Sequence, residues 1–150
     1  MAQVKEPPAI RPEHQLYHTY STDEDQARTN VHYEQPKEFF YGFTGGEWNV
    51  YSCNLWPVDA PPGYDDTRSQ EAKLDLMGEL AGLRPGMRIL DVGCGWAGPL
   101  VYWCKRFGVR GVGLNLSPTQ QAAATERIAE HGVEARVLVR HWAEFEDPEP

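Results

Sequence analysis

An α/β fold with parallel strands joined by right-handed crossovers is predicted from three observations. A strand-like stretch over 87–92, with apolar residues leading into Asp91, runs into glycines at 93, 95 and 98. Two further short strand-like stretches, 109–114 and 135–139, follow at regular spacing. The stretches between them carry helical patterns closed by Gly108 and Gly132. Strands and helices alternating in this way give β-α-β-α-β, which forces the strands to pair in parallel.

Each element has its local signals. Residues 1 to about 13 hold Pro7, Pro8 and Pro12 among charges, and segment 1–30 reads as a flexible N-terminal region. His14 and His18 have the four-residue spacing of ligands on one helix face, but with no ligand cluster nearby they read as surface histidines. Ser21 and Glu24 are spaced for a capping box. Residues 35–43 read as a short aromatic helix with Pro36 at its first position. Its aromatics, with Tyr51 and Trp56, serve either as a lid over a pocket or as cover for the sheet. Pro57, Pro61, Pro62 and Gly63 make 55–64 a loop.

A helix starts at Asp66 or Thr67, with Leu76, Leu80 and Leu83 recurring on one face, and stops at Gly82 and Pro85-Gly86. Segment 31–86 is thus a helical cap and cofactor lid, and 87–150 begins the parallel-sheet domain. Within that domain a helix runs over 99–107. The next is capped by Ser117, with Pro118 at its first position and Gln120 reaching back.

The bulk composition excludes several classes. A chain of 150 residues supports one domain, and 41% hydrophobic with 11% aromatic residues is enough to build its core. A net charge of -8 argues against a nucleic-acid face, which needs clustered Lys and Arg. No apolar run approaches the roughly 20 residues of a membrane span, and no signal-peptide pattern opens the chain. Cys53, Cys94 and Cys104 are odd in number and widely spaced, as reduced thiols in the cytoplasm are, and they form neither a disulfide framework nor a zinc site.

The chemistry is concentrated in Ile89-Leu90-Asp91-Val92-Gly93-Cys94-Gly95-Trp96-Ala97-Gly98. A buried strand, a glycine turn and a helix start bring free N–H groups toward a negatively charged ligand and let it approach the main chain closely. The spacing Gly93-x-Gly95-x-x-Gly98 also fits dinucleotide sites, so the glycines alone do not choose a cofactor. Asp91, with Cys94 and Trp96 between the glycines, makes Asp-Val-Gly-Cys-Gly-Trp resemble the first motif of S-adenosylmethionine-dependent methyltransferases.

Further stretches agree in order and spacing: His32-Tyr33, Phe39-Phe40, Tyr51-Ser52-Cys53, the glycine motif, Val112-Gly113-Leu114-Asn115-Leu116-Ser117, Gln120, and Trp142 with Phe145. Together they resemble the cyclopropane fatty acid synthase family, which includes the mycolic acid cyclopropane synthases, over roughly residues 30–148. The resemblance implies a Rossmann-like class I methyltransferase fold, present here as a helical lid and the first β-α-β-α-β half of the sheet. It implies S-adenosylmethionine as cofactor, bicarbonate as base, and methyl transfer to an unsaturated lipid or a small-molecule acceptor such as an isoprenoid. Peripheral membrane contact and a homo-oligomer go with that reading.

By position, Tyr51 and Ser52 would contact the methionine end, with Asp91 beside the motif. Gly93 and Gly95 would give backbone room. Asn115, Leu116 and Gln120 would hold the ribose and adenine side, and Trp142 would flank the adenine. The position matching Cys53 would help hold bicarbonate through its backbone, and nothing marks its thiol as a nucleophile.

Two departures stand out. Asn54-Leu55-Trp56 and the proline loop differ from the family's usual continuation, and the family pattern extends well past Pro150. The C-terminal half of the fold is therefore expected to be absent from these 150 residues, which alone would bind cofactor without transferring methyl groups. Two other classes compete. A nicotinamide-dependent oxidoreductase would want an acid at the end of the second strand, where Asn115 stands. A non-catalytic cofactor-binding module is the other.

Overall fold

The computed structural model describes residues 21–33 and 35–147. His14, His18 and the proline-rich start lie outside the described residues. The order is α1 (Thr22–Tyr33), α2 (Lys37–Thr44), α3 (Asp66–Leu80), β1 (Arg88–Val92), α4 (Gly98–Phe107), β2 (Arg110–Asn115), α5 (Pro118–His131) and β3 (Ala135–Val139), then a 3-10 turn over Trp142–Glu144. The strands form one parallel sheet in the order β1-β2-β3, with Leu90 opposite Val112 and Leu114 opposite Leu138.

Local chemistry sets most boundaries. At α1 the Ser21 backbone N–H donates to the Glu24 carboxylate at 2.9 Å and Glu24 N–H donates back to Ser21 Oγ at 3.3 Å, a reciprocal capping box. This helix runs on through residue 30, where the sequence set the end of a flexible region. Pro36 caps α2 from outside the helix, which begins at Lys37. Asp65 caps α3 by accepting from Arg68 N–H at 2.9 Å. Gly108 and Gly132 close α4 and α5 in left-handed conformations. Ser117 caps α5 by accepting from Gln120 N–H at 3.2 Å. The Gln120 side chain does not complete a capping box, because the Ser117 N–H donates instead to Asn115 Oδ1 at 3.0 Å.

The inward face of α3 differs from the expected one. Leu74, Gly78, Ser69 and Gln70 are buried, while Leu76 and Leu80 are exposed. The polar members of the buried face bind loop backbone: Gln70 Nε2 donates to the carbonyls of Thr44 and Gly45, and its Oε1 accepts from Trp48 N–H, each at 3.1 Å. That need for loop anchoring outweighs the leucine pattern.

Leu74 joins Leu100, Val101 and Cys104 of α4, Ala124 and Ile128 of α5, and Val137 of β3 in the main core. A second cluster packs Phe40 of α2 and Ala123 of α5 against Trp96 of the glycine turn, so the aromatic segment anchors to the turn as well as covering it. One edge of β1 is unpaired among the described residues, and Leu90 and Val92, alternating with Ile89 and Asp91, stay about half exposed.

Segment 45–52 is tied to the helices by a close approach. Gly98, the first residue of α4, lies against the Trp48 carbonyl, and a Cβ at 98 would collide with that oxygen. The buried Arg127 closes the contact from α5, with Nη1 donating to the Trp48 carbonyl at 3.0 Å and Nη2 to Asn49 Oδ1. Gly98→Ala is expected to cost about 3 kcal/mol, because backbone must move on both sides. Urea unfolding checks this, and a midpoint equal to wild type would contradict the contact.

Candidate functional site

At the carboxyl ends of β1 and β2 lies a cavity of about 510 Å³, closed on one side by α1 and α3. Parallel α/β sheets place their ligands at this end. The floor is the glycine turn. Asp91 comes from β1, and the chain then passes through Gly93 (φ 78°) and Gly95 (φ 53°), where a side chain would be strained. A Cβ at either glycine would meet no protein atom within 4 Å, so backbone faces open space.

Two contacts with β2 hold the turn. The Leu114 carbonyl accepts from both Gly93 N–H (2.9 Å) and Cys94 N–H (3.0 Å). Asn115 Nδ2 donates to the Gly95 carbonyl at 2.9 Å while its Oδ1 accepts from Ser117 N–H. The buried Asn115 amide thus joins the glycine turn to the start of α5 while lining the cavity.

Two buried polar atoms in the wall have no partner among the described residues, Asp91 Oδ2 and Trp96 Nε1. Burial pushes the Asp91 carboxyl up to about 6. The Cys94 thiol between the glycines is raised well above its usual range, by burial first and then by Asp91, so it stays protonated.

The lining also carries Tyr51, whose hydroxyl lies 3.4 Å from His32 Nε2, and Ser52, whose Oγ accepts from Lys73 Nζ at 2.9 Å. Gln120 and Leu116 follow the end of β2. Trp142 follows β3, largely exposed, its ring 5.6 Å from that of His141. His141 in turn meets Asp25 of α1 at 3.3 Å.

Of the site residues read from sequence, Tyr51, Ser52, Asp91, Gly93, Gly95, Asn115, Leu116, Gln120 and Trp142 share this cavity, whereas Cys53 is exposed and outside its lining. Sequence reasoning missed Lys73, Asp25, Tyr33 and Arg140, which also line it. The signal for Lys73 was the spacing Gln70, Lys73, Leu74, Met77 on α3, hidden by the competing leucine face.

The parallel strands, crossover helices and glycine turn define a Rossmann-like α/β domain. The chain belongs to the mycolic acid cyclopropane synthetase family, whose profile matches residues 20–149. It is 36% identical over 135 residues to methoxy mycolic acid synthase MmaA3 of Mycobacterium tuberculosis, covering 85% of this chain and 45% of that protein. It is 39% identical over 98 residues to the cyclopropane-fatty-acyl-phospholipid synthase of Escherichia coli K12, covering 65% of this chain and 24% of that protein.

The structure of mycolic acid cyclopropane synthase CmaA1 complexed with SAH and CTAB superposes with a TM-score of 0.73 at 34% identity, over 82% of this chain and 42% of that one. The chain therefore spans less than half the length of these relatives. Among the described residues no helix is long and apolar enough to cross a membrane.

The buried Asp91 gives a pH signature. Below about pH 4 its carboxyl is neutral in folded and unfolded chain alike. As pH rises toward about 6 the unfolded chain releases this proton while the folded chain keeps it, so stability falls through that window and then levels. Asp91→Asn is expected to remove this slope and to stabilise the ligand-free chain by about 2 kcal/mol near neutral pH. Urea titrations across the window check it, and an unchanged slope in the variant would contradict the assignment.

Proposed function

We propose that this chain is the S-adenosylmethionine-binding part of a methyltransferase that modifies unsaturated lipid chains. The observation that carries the reading is the cavity itself, which brings together a buried carboxylate with one unpartnered oxygen, an open glycine backbone, Tyr51, Ser52 and an exposed tryptophan. Its volume suits a nucleoside-sized ligand. The names of the relatives and the SAH in the CmaA1 structure support the reading.

When bound, S-adenosylmethionine supplies an electrophilic methyl group on a sulfonium. The chain's residues position it. Asp91 Oδ2 is an acceptor for the ligand's ammonium, and the charge of that ammonium favours the ionised carboxylate. Gly93 and Gly95 admit the ligand against the main chain. Gln120 and Leu116 bound the nucleoside, and the Trp142 ring offers a face to the base. Asn115 contributes by fixing the turn. Bicarbonate as the base rests on the family resemblance alone, since Cys53, the residue matched to it, lies outside the cavity lining. The acceptor is a lipid met at a membrane surface, and the protein works in the cytoplasm.

Competitive calorimetric titration is expected to show S-adenosylmethionine binding and outcompeting NAD, whereas tighter NAD binding would overturn the reading. Gly95→Val, with its fold checked by circular dichroism, is expected to lose measurable binding because backbone approach is blocked.

A polypeptide of residues 1–150 is further proposed to self-associate. The edge of β1 that is unpaired among the described residues and the exposed Leu90, Val92, Leu76, Met77 and Leu80 invite another chain. Light scattering on dilute samples checks this, and a dispersed monomer would contradict it.

A further inference from the structure

Lys73 is a charged group at the cavity that the proposed reading leaves unused. It sits on α3 between Gln70 and Leu74, which tie that helix to the loop and the core. Its ammonium donates to Ser52 Oγ at 2.9 Å and lies 3.5 Å from the Ser52 carbonyl, and it makes no ion pair among the described residues. Partial burial lowers its basicity, an effect that the neighbouring Cys53 offsets in part.

The charges around the cavity are distributed unevenly. Arg140 follows β3 and stands beside His141 and Trp142, at the end where an aromatic face is offered. Asp91 lies at the end of β1, the strand at the opposite edge of the sheet. Lys73 lies on α3, which packs against α4, the helix that follows β1. A base against Trp142 thus directs the other end of the ligand toward Asp91 and Lys73, an acceptor for an ammonium and a donor for a carboxylate.

We propose that Lys73 anchors the α-carboxylate of the bound nucleoside amino acid, with Ser52 holding the ammonium in place and Asp91 taking the α-amino group. This rests on S-adenosylmethionine being the ligand of the site and adds a determinant that separates it from nucleosides lacking the carboxylate. An ammonium directed by a hydroxyl makes a charge-assisted hydrogen bond to a carboxylate, and the partly desolvated setting strengthens it.

The test is calorimetric titration of wild type, Lys73→Met and Lys73→Arg with S-adenosylmethionine and with decarboxylated S-adenosylmethionine, in bicarbonate-free buffer and again with added bicarbonate. Lys73→Met is expected to weaken S-adenosylmethionine by about tenfold or more, the scale of one charge-assisted contact, while leaving the decarboxylated ligand within about twofold of wild type. That unchanged affinity also shows that the variant folds. Lys73→Arg is expected to recover part of the loss.

Equal losses for both ligands would overturn the proposal by making the lysine a support for the wall, as would no loss for either. Dependence on Lys73 appearing only with bicarbonate would overturn it too, by giving the ammonium to that anion. If wild type bound both ligands equally, the anchor would fall and the cofactor reading would stand. If wild type bound neither, both would fall.

Discussion

The Leu114 carbonyl, accepting from two successive N–H groups of the glycine turn, is the contact on which the site depends. A turn with two left-handed glycines has few conformational preferences of its own, and a loop so permissive would lose ordering entropy on every binding event. Here the end of β2 fixes it instead. Leu114 holds the turn's first half, and the Asn115 amide holds the Gly95 carbonyl while taking the Ser117 N–H. Turn, strand end and the start of α5 thus move as one piece, and the backbone that faces the cavity is set before any ligand arrives.

The same packing has an electrostatic consequence. Pinning the turn against β2 buries Asp91 with one carboxylate oxygen unpartnered, a state that costs stability above its raised ionisation range. Strain of this kind is tolerated where a ligand relieves it. The second wall is brought up by a separate device. The meeting of Gly98 with the Trp48 carbonyl, closed by Arg127, together with the Gln70 side chain on loop backbone, carries Tyr51 and Ser52 to the cavity. Phe40 on Trp96 then couples the helical cap to the turn.

What the sequence revealed follows the range of the interactions involved. The strand-helix alternation from β1 to β3 was legible almost to the residue, because Gly108, Ser117, Pro118 and Gly132 end or start elements through their own backbone chemistry. The glycine turn was legible for the same reason. The α3 face was not. Leu76 and Leu80 gave a plausible stripe, but Gln70 and Gly78 are inward because loop backbone and the Phe107 ring approach them from far along the chain. Asn115 was placed at the cavity, but its structural work was not legible, since nothing local says that its amide reaches back to Gly95, twenty residues earlier. Cys53 adjoins Ser52 in sequence, but the chain turns it out of the cavity lining. Lys73 became visible only once Ser52 was placed beside it.

The central claim is that a prebuilt turn receives the amino-acid end of an S-adenosyl ligand between β1 and the 51–52 segment. A crystal structure of the chain grown with S-adenosylhomocysteine tests it most directly. The account predicts the ligand's ammonium on Asp91, its base against Trp142, and a glycine turn that keeps the Leu114 and Asn115 contacts unchanged. A ligand seated elsewhere, or a turn that breaks those contacts to admit it, would contradict the account.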